Sequence, residues 1–269
     1  MNESARGTIE LQREGSLATI SLAAPWRGNA LDNGMLDRLA SQLEALSGEA
    51  QAPRCLVLTG AGDRHFSTGF DLNQLLAEMD QGEVAFNDLE NHPLERAVRA
   101  LDAYPFPTVA LLKGAAIGAG CELALACDLR FARSEASLCM PPAKLGVLYS
   151  ITGMRRLVEL VGMSIAKEMF FTAKPVSGRR AEVLGLVNQL IPPENFDSRC
   201  RELCEGIAAN APLSLRHSKT ALRQLRPSLP KPEVMAELLA LRAECFLSGD
   251  LREAIAAFQA KRPAHFQGR

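Results

Sequence analysis

Up to residue 191 the chain alternates strand-length apolar runs with helical stretches, and from residue 193 it offers helices alone. That ordering constrains the fold more than any other feature. Strands separated by helix-length connections assemble as a mixed α/β core with crossover helices. TIELQREGSLATISLAAP alternates apolar and polar residues about Glu14-Gly15 and predicts a β-hairpin. LDNGMLDRLASQLEAL sets Met35, Leu39, Leu43 and Leu46 on one helical face, with Gly48 as its stop. RCLVLTG (54–60), TVALLKG (108–114), DLRFA and VNQLI (187–191) read as further strands. HPLERAVRALDA reads as a helix with Pro93 in its first turn, and MRRLVELVG, SIAKEMFFT and GRRAEVLG as helical stretches.

The helices after residue 193 are ENFDSRCRELCEGIAA, LSLRHSKTALRQL, EVMAELLALRAECFL and LREAIAAFQAKR. Asp250 and Glu253 have the spacing of a capping box ahead of the last one, and RPSLPKP (226–232) reads as a proline-rich hinge. The expected organisation is an α/β core over residues 1–192 and a helical C-terminal region over 193–269. Hydrophobic residues make up 47% of the 269 and charged residues 23%, enough for that core to be sizeable.

Net charge is −1, which argues against general attraction to nucleic acid or to an anionic membrane. The segment 108–127 is the best membrane candidate, but Lys113 and Glu122 sit near its middle. Each costs about 2.5–3.5 kcal/mol at a bilayer centre, so it is not read as a span. MNESARGTIE has no apolar run and predicts no secretory signal, and seven cysteines without a framework fit a reducing cytoplasm. Cys200 and Cys204 lie four apart on a helix with no histidine nearby, so they read as buried small hydrophobes rather than metal ligands.

Two glycine-rich loops carry the chemistry. In KGAAIGAGCELALACD (113–128) a strand runs through small residues into a helix with Glu122 in its first turn. A dinucleotide fingerprint would need glycine where Leu123 stands, and a Walker loop would need Gly-Lys-Ser/Thr; both phosphate readings fail. What remains is a set of backbone N–H groups at Gly118, Ala119 and Gly120 beside one acid. That suits stabilising an oxyanion while a carboxylate manages a proton, though a plain helix N-terminal acid has the same spacing. In LTGAGDRHFSTGFDL (58–72), Gly69 lets the chain bring the Phe70 N–H into a pocket, and His65 reads as a solvated loop histidine.

These two loops, with GNALDNGMLDRL before them and AFQAKRPAHFQGR at the end, resemble the crotonase (enoyl-CoA hydratase/isomerase) superfamily from about residue 8 onward. The resemblance implies a ClpP-like spiral of ββα units with a helical C-terminal trimerisation region. It also implies an acyl-CoA substrate bound with no separate cofactor or metal, in a homotrimer or dimer of trimers. Its enolate-stabilising N–H groups fall on Phe70 and Ala119, and its first catalytic glutamate on Glu122. Substrate contacts fall on Arg27, Thr68, Gly69, Asp71, Leu72, Gly118, Pro142, Phe258 and Lys261, the last two on a C-terminal helix expected from a neighbouring subunit. Trp26 either flanks the adenine or simply packs.

The family's second glutamate falls on Pro142, which cannot titrate. MPPAKLGVLYSITG, NHPLERAVRALDAYPFP and GMSIAKEMFFTAKPVSGRRAEVLGLVN are similar to methylmalonyl-CoA decarboxylase-like members, which share the tyrosine at Tyr149 but carry histidine at Phe70. Loss of CO₂ from a malonyl-type thioester itself generates an enolate, so no base is needed, and a second carboxylate would repel the substrate's own. Tyr149 would then donate to that carboxylate or to a water, unless it is a core tyrosine with a satisfied hydroxyl. The alternatives are a single-glutamate hydratase or isomerase of an unusual enoyl-CoA, and a non-catalytic acyl-CoA-binding or assembly protein.

Overall fold

The computed structural model describes residues 7–75, 92–226 and 230–268. A hairpin of β1 (Thr8–Glu14) and β2 (Leu17–Ala23) opens the fold, turning at Gly15 with φ +58°. Helix α1 (Asn33–Ser47) follows, with Asp32 accepting the Met35 N–H at its start. Its Met35, Leu39, Leu43 and Leu46 are buried as the spacing required, and Leu36 and Ala40 widen that stripe.

Strands β3 (Cys55–Gly60), β5 (Thr108–Leu112), β7 (Leu129–Arg133) and β10 (Gln189–Ile191) join the hairpin in a six-stranded sheet of order β1-β2-β3-β5-β7-β10. All its pairs beyond the hairpin are parallel, as helical crossovers demand. A second sheet, β4-β6-β8-β9, is built from short strands: β4 (His65–Ser67), β6 (Ala115–Ile117), β8 (Ser137–Cys139) and β9 (Val176–Ser177). Strands this short carry too little apolar alternation to be read from sequence, and only the tertiary pairing reveals them. His65, expected in a loop, is the first residue of β4.

Four helices connect these layers: α2 (Pro93–Ala103), α3 (Ala119–Ala126), α4 (Pro142–Leu145) and α5 (Ile151–Thr172). Helix α5 joins two stretches that read as separate helices, and the backbone breaks between them at Gly162, φ +75°. Helix α6 (Gly178–Val183) precedes β10. Then come α7 (Phe196–Ala209), α8 (Pro212–Gln224), α9 (Pro232–Leu247) and α10 (Gly249–Gln259).

Phe196, Cys200 and Cys204 of α7 pack beneath the large sheet with Cys55, Val57 and Phe131, so both cysteines lie in an apolar layer. The capping-box spacing at Asp250 and Glu253 is not used as a cap. Ser248 caps α10 instead, accepting the Leu251 N–H. Asp250 takes the N–H groups of Gln267 and Gly268, and Glu253 pairs with Arg262, so both acids tie down the C-terminal tail. Part of the expected hinge, residues 227–229, lies outside the described residues. No helix among the described residues is long and apolar enough to cross a membrane.

Candidate active site

A cavity of about 1210 Å³ opens between the two glycine loops, α4, α9 and α10. Its floor is α3. That helix has no polar face: AGCELALA is buried all round, and Glu122 is the one carboxylic acid in it. An acid inside a wholly apolar helix is a signal the sequence already carries.

Glu122 is 0% exposed. The Ser150 hydroxyl donates to its Oε1 at 2.6 Å, while Oε2 is buried without a hydrogen-bond partner among the described residues. Burial pushes the carboxyl up to about 7; the charge of Glu95 adds to this and the hydrogen bond from Ser150 opposes it. Close beside it, the Tyr149 hydroxyl is also buried; it interacts with Glu122 and makes no full hydrogen bond among the described residues. Burial and the Glu122 charge drive its pKa well above the ordinary phenol value.

The two amides proposed for the oxyanion are brought to one place by glycine geometry. Leu31 and Phe70 form a parallel bridge in which Leu31 N–H binds the Gly69 carbonyl and Asp71 N–H binds the Leu31 carbonyl. Phe70 lends neither of its own groups to that bridge, so its N–H faces the other way. Gly69 has φ +97°, and a Cβ there would sit 2.8 Å from the Ile117 carbonyl oxygen and 3.6 Å from Ala119 N. Only glycine lets this strand edge approach the start of α3. Gly118 precedes that start at φ +52°, but its own N–H is taken by the Cys139 carbonyl and is not available to a ligand. Of the small residues whose N–H groups were expected there, Ala119 lines the cavity beside Phe70 and Gly120 does not.

Thr68, Gly69, Phe70, Asp71, Leu72, Gly118, Ala119, Glu122, Pro142 and Tyr149 all line this cavity. Arg27 lines it as well, but its guanidinium is already held by Asp32 and, at 2.8 Å, by Asp71. Trp26 is 60% exposed beside it. His65 lies outside the lining.

The C-terminal helix differs from expectation in its origin. Helix α10 closes over the cavity of its own chain: Leu251 and Ile255 are fully buried with Leu72, Leu75, Val147 and Phe246 around them. Phe258 therefore reaches the cavity within one chain. Lys261, past the helix end at φ +52°, is not part of the lining; Arg262 lines the wall instead.

Sequence spacing did not reveal the groups behind Glu122. Thr152 donates to Glu95 at 2.7 Å and its hydroxyl lies 3.3 Å from that of Ser150. Glu95 is 5% exposed and, unlike Glu122, is not part of the cavity lining. Arg242 and His92 line the wall, His92 with its ring 5.7 Å from that of Phe70. Residues from α2, α5 and α9 meet here only through folding. No local pattern marks them, although a buried acid within the apolar face of α2 is visible once that face is drawn.

The chain matches the model of the enoyl-CoA hydratase/isomerase family over residues 12–269. It is 32% identical over 255 residues to the short-chain-enoyl-CoA hydratase of Clostridium acetobutylicum, covering 94% of this chain and 95% of that one. To the methylmalonyl-CoA decarboxylase of Escherichia coli it is 28% identical over 242 residues, 89% of this chain and 90% of that one. Among solved structures, a methylmalonyl-CoA decarboxylase in complex with 2-nitronate-propionyl-CoA superposes with a TM-score of 0.87 at 26% identity. That match covers 97% of this chain and 99% of the other.

Proposed function

The chain belongs to the enoyl-CoA hydratase/isomerase family and is an acyl-CoA enzyme, and from that premise we propose that it decarboxylates a malonyl-type thioester such as methylmalonyl- or ethylmalonyl-CoA. The observation that carries the reading is the acid count of the cavity. Its lining holds two carboxylic acids among the described residues, Asp71 and Glu122, and Asp71 is engaged in an ion pair with Arg27. Pro142 lines the wall where hydration by paired glutamates would need the second one.

In this reading the thioester oxygen accepts hydrogen bonds from the Phe70 and Ala119 N–H groups. The bond between the α-carbon and the carboxylate breaks, CO₂ leaves, and its electron pair passes into the enolate. Each preorganised donor contributes roughly 2.7–4 kcal/mol as charge reaches that oxygen. The protonated Glu122 carboxyl then delivers its proton to the α-carbon, giving the shorter acyl-CoA, and is reprotonated from water. Held near pH 7, it is poised to carry that proton under ordinary conditions. Tyr149, whose hydroxyl lies beside Glu122 and makes no full hydrogen bond among the described residues, orients the departing carboxylate.

A second reading has its own support: a carboxyl with a pKa of about 7 is also suited to single-acid hydration or isomerisation of an enoyl-CoA. Incubation with methylmalonyl-, ethylmalonyl- and crotonyl-CoA, following CO₂ release and enoyl absorbance, separates the two. CO₂ release from a malonyl thioester is the expected result, and rapid crotonyl-CoA hydration without it overturns the first reading. Tyr149→Phe is expected to slow CO₂ release about 10-fold or more, as losing one charge-directed hydrogen bond would; an unchanged rate removes Tyr149 from the mechanism.

A further inference from the structure

Arg242 enters the cavity wall from α9 as a guanidinium short of partners. The residue is 8% exposed, and its Nε is buried with no hydrogen-bond partner. Its one ion-pair partner among the described residues, Glu95 Oε1, lies 3.9 Å from Nη1, too far for a hydrogen bond. The other Glu95 oxygen is occupied by the Thr152 hydroxyl. Beyond that, the guanidinium has the Phe246 ring, 5.7 Å from its Cζ. A guanidinium carries five N–H donors, and burying it this loosely compensated is costly.

Two more donors share its wall. The buried Tyr149 hydroxyl is directed at the Glu122 carboxyl and has no acceptor beyond it among the described residues. His92 accepts the Leu94 N–H at Nδ1, 3.1 Å, so its proton resides on Nε2. Burial and the Arg242 charge hold that imidazole down at about 4, which keeps it a neutral donor at working pH. Glu122 and Tyr149 both act on Arg242 electrostatically, so it lies toward the reacting end of the cavity rather than at its mouth. A cation and two neutral donors complement an anion with several acceptor oxygens. On an acyl-CoA, apart from the nucleotide phosphates, that anion is a carboxylate on the acyl group.

We infer that Arg242 is the specificity-determining residue that recognises a free carboxylate on the acyl group, so that the cavity selects monothioesters of dicarboxylic acids over simple fatty acyl-CoAs. The inference rests on reading the cavity as an acyl-CoA site, and it names the substrate class whatever the subsequent step. Where CO₂ is lost, the charge Arg242 holds is present in the bound substrate and fades in the transition state. Its contribution therefore lies in binding, and its loss appears in KM.

The test uses two non-reacting thioethers, propyl-CoA and 2-carboxypropyl-CoA, with dissociation constants measured on the full chain. Wild type is expected to prefer the carboxylated ligand about 10- to 100-fold, the range of a hydrogen bond to a charged group. Arg242→Met is expected to erase that preference while leaving propyl-CoA binding in place, and Arg242→Lys to recover part of it. Should the methionine variant fail to fold with Glu95 left uncompensated, the double variant Glu95→Gln/Arg242→Met carries the same comparison. An unchanged ratio, or equal loss of both ligands in a folded variant, overturns the inference. A carboxylate preference without CO₂ release from any malonyl thioester upholds the inference and sinks decarboxylation. CO₂ release with a ligand ratio indifferent to Arg242 does the reverse.

Discussion

Glu122 loses its hydration when α3 packs against β4, β6, α2 and α5, and that loss fixes its chemistry. Its pKa rises from 4.5 in the unfolded chain to about 7 in the fold. A raised pKa means that the folded state holds the proton more tightly. The associated stability is fully present below pH 4.5, falls as pH rises toward 7, and is lost above it. The amount at stake is about 3 kcal/mol. Glu122→Gln removes this titration. Denaturant melts at pH 5 and pH 8 should show a wild-type decline that the variant lacks, while CO₂ release in the variant falls about 100-fold or more. In wild type the same proton-donor role predicts a rate that declines above about pH 7.

At the scale of the element, α5 positions the acid from its cap. Ser150 accepts the Gly153 N–H at 2.9 Å and donates to Glu122 Oε1, so one hydroxyl both starts a helix and holds the carboxyl. Ser150→Ala should cost about 1 kcal/mol of stability through the lost cap. It should also move the alkaline limb of the pH–rate profile upward, because the hydrogen bond from Ser150 lowers the Glu122 pKa. A cap with no catalytic part would change the melt and leave the profile where it was. The loop into α4 and onward is the other element with a function of position. It brings Pro142 and Tyr149 to the wall and turns at Gly146 with φ +65°.

Across the whole molecule, the decisive contact is that of α10 with its own chain. A Cβ at Gly146 would lie 3.0 Å from the Asp250 carbonyl carbon and the Leu251 N, on a backbone that disfavours side chains. Gly146→Val should lift α10 from the cavity and raise KM for acyl-CoA about 10-fold, as a loss of packed apolar contact would. Its check is steady-state kinetics beside a thermal melt, and an unchanged KM would mean that α10 is no part of the binding wall. Leu222 and Leu225, 67% and 80% exposed one turn apart on α8, leave an apolar stripe uncovered in the single chain. We expect copies of the chain to cover it, in a trimer or a dimer of trimers. Light scattering should then give three or six times 29.1 kDa, and Leu225→Glu should lower it.

Periodicity determined the long elements: the hairpin, α1, α2, the parallel strands of the large sheet and the C-terminal helices all follow from local apolar spacing. The glycine loops and the acid inside an apolar helix marked Phe70, Ala119 and Glu122, because glycine conformation and an isolated charge are legible residue by residue. Pro142 and Tyr149 stood out only through the family resemblance, as an absent acid and an available hydroxyl. The short strands β4, β6, β8 and β9 needed tertiary pairing to exist as strands. The company of Glu122 needed it too: Ser150, Thr152, Glu95, His92 and Arg242 come from segments up to 150 residues apart. So did the return of α10 to its own cavity. Hydrogen bonds, burial and electrostatic compensation act through space, and chain order sets none of those distances.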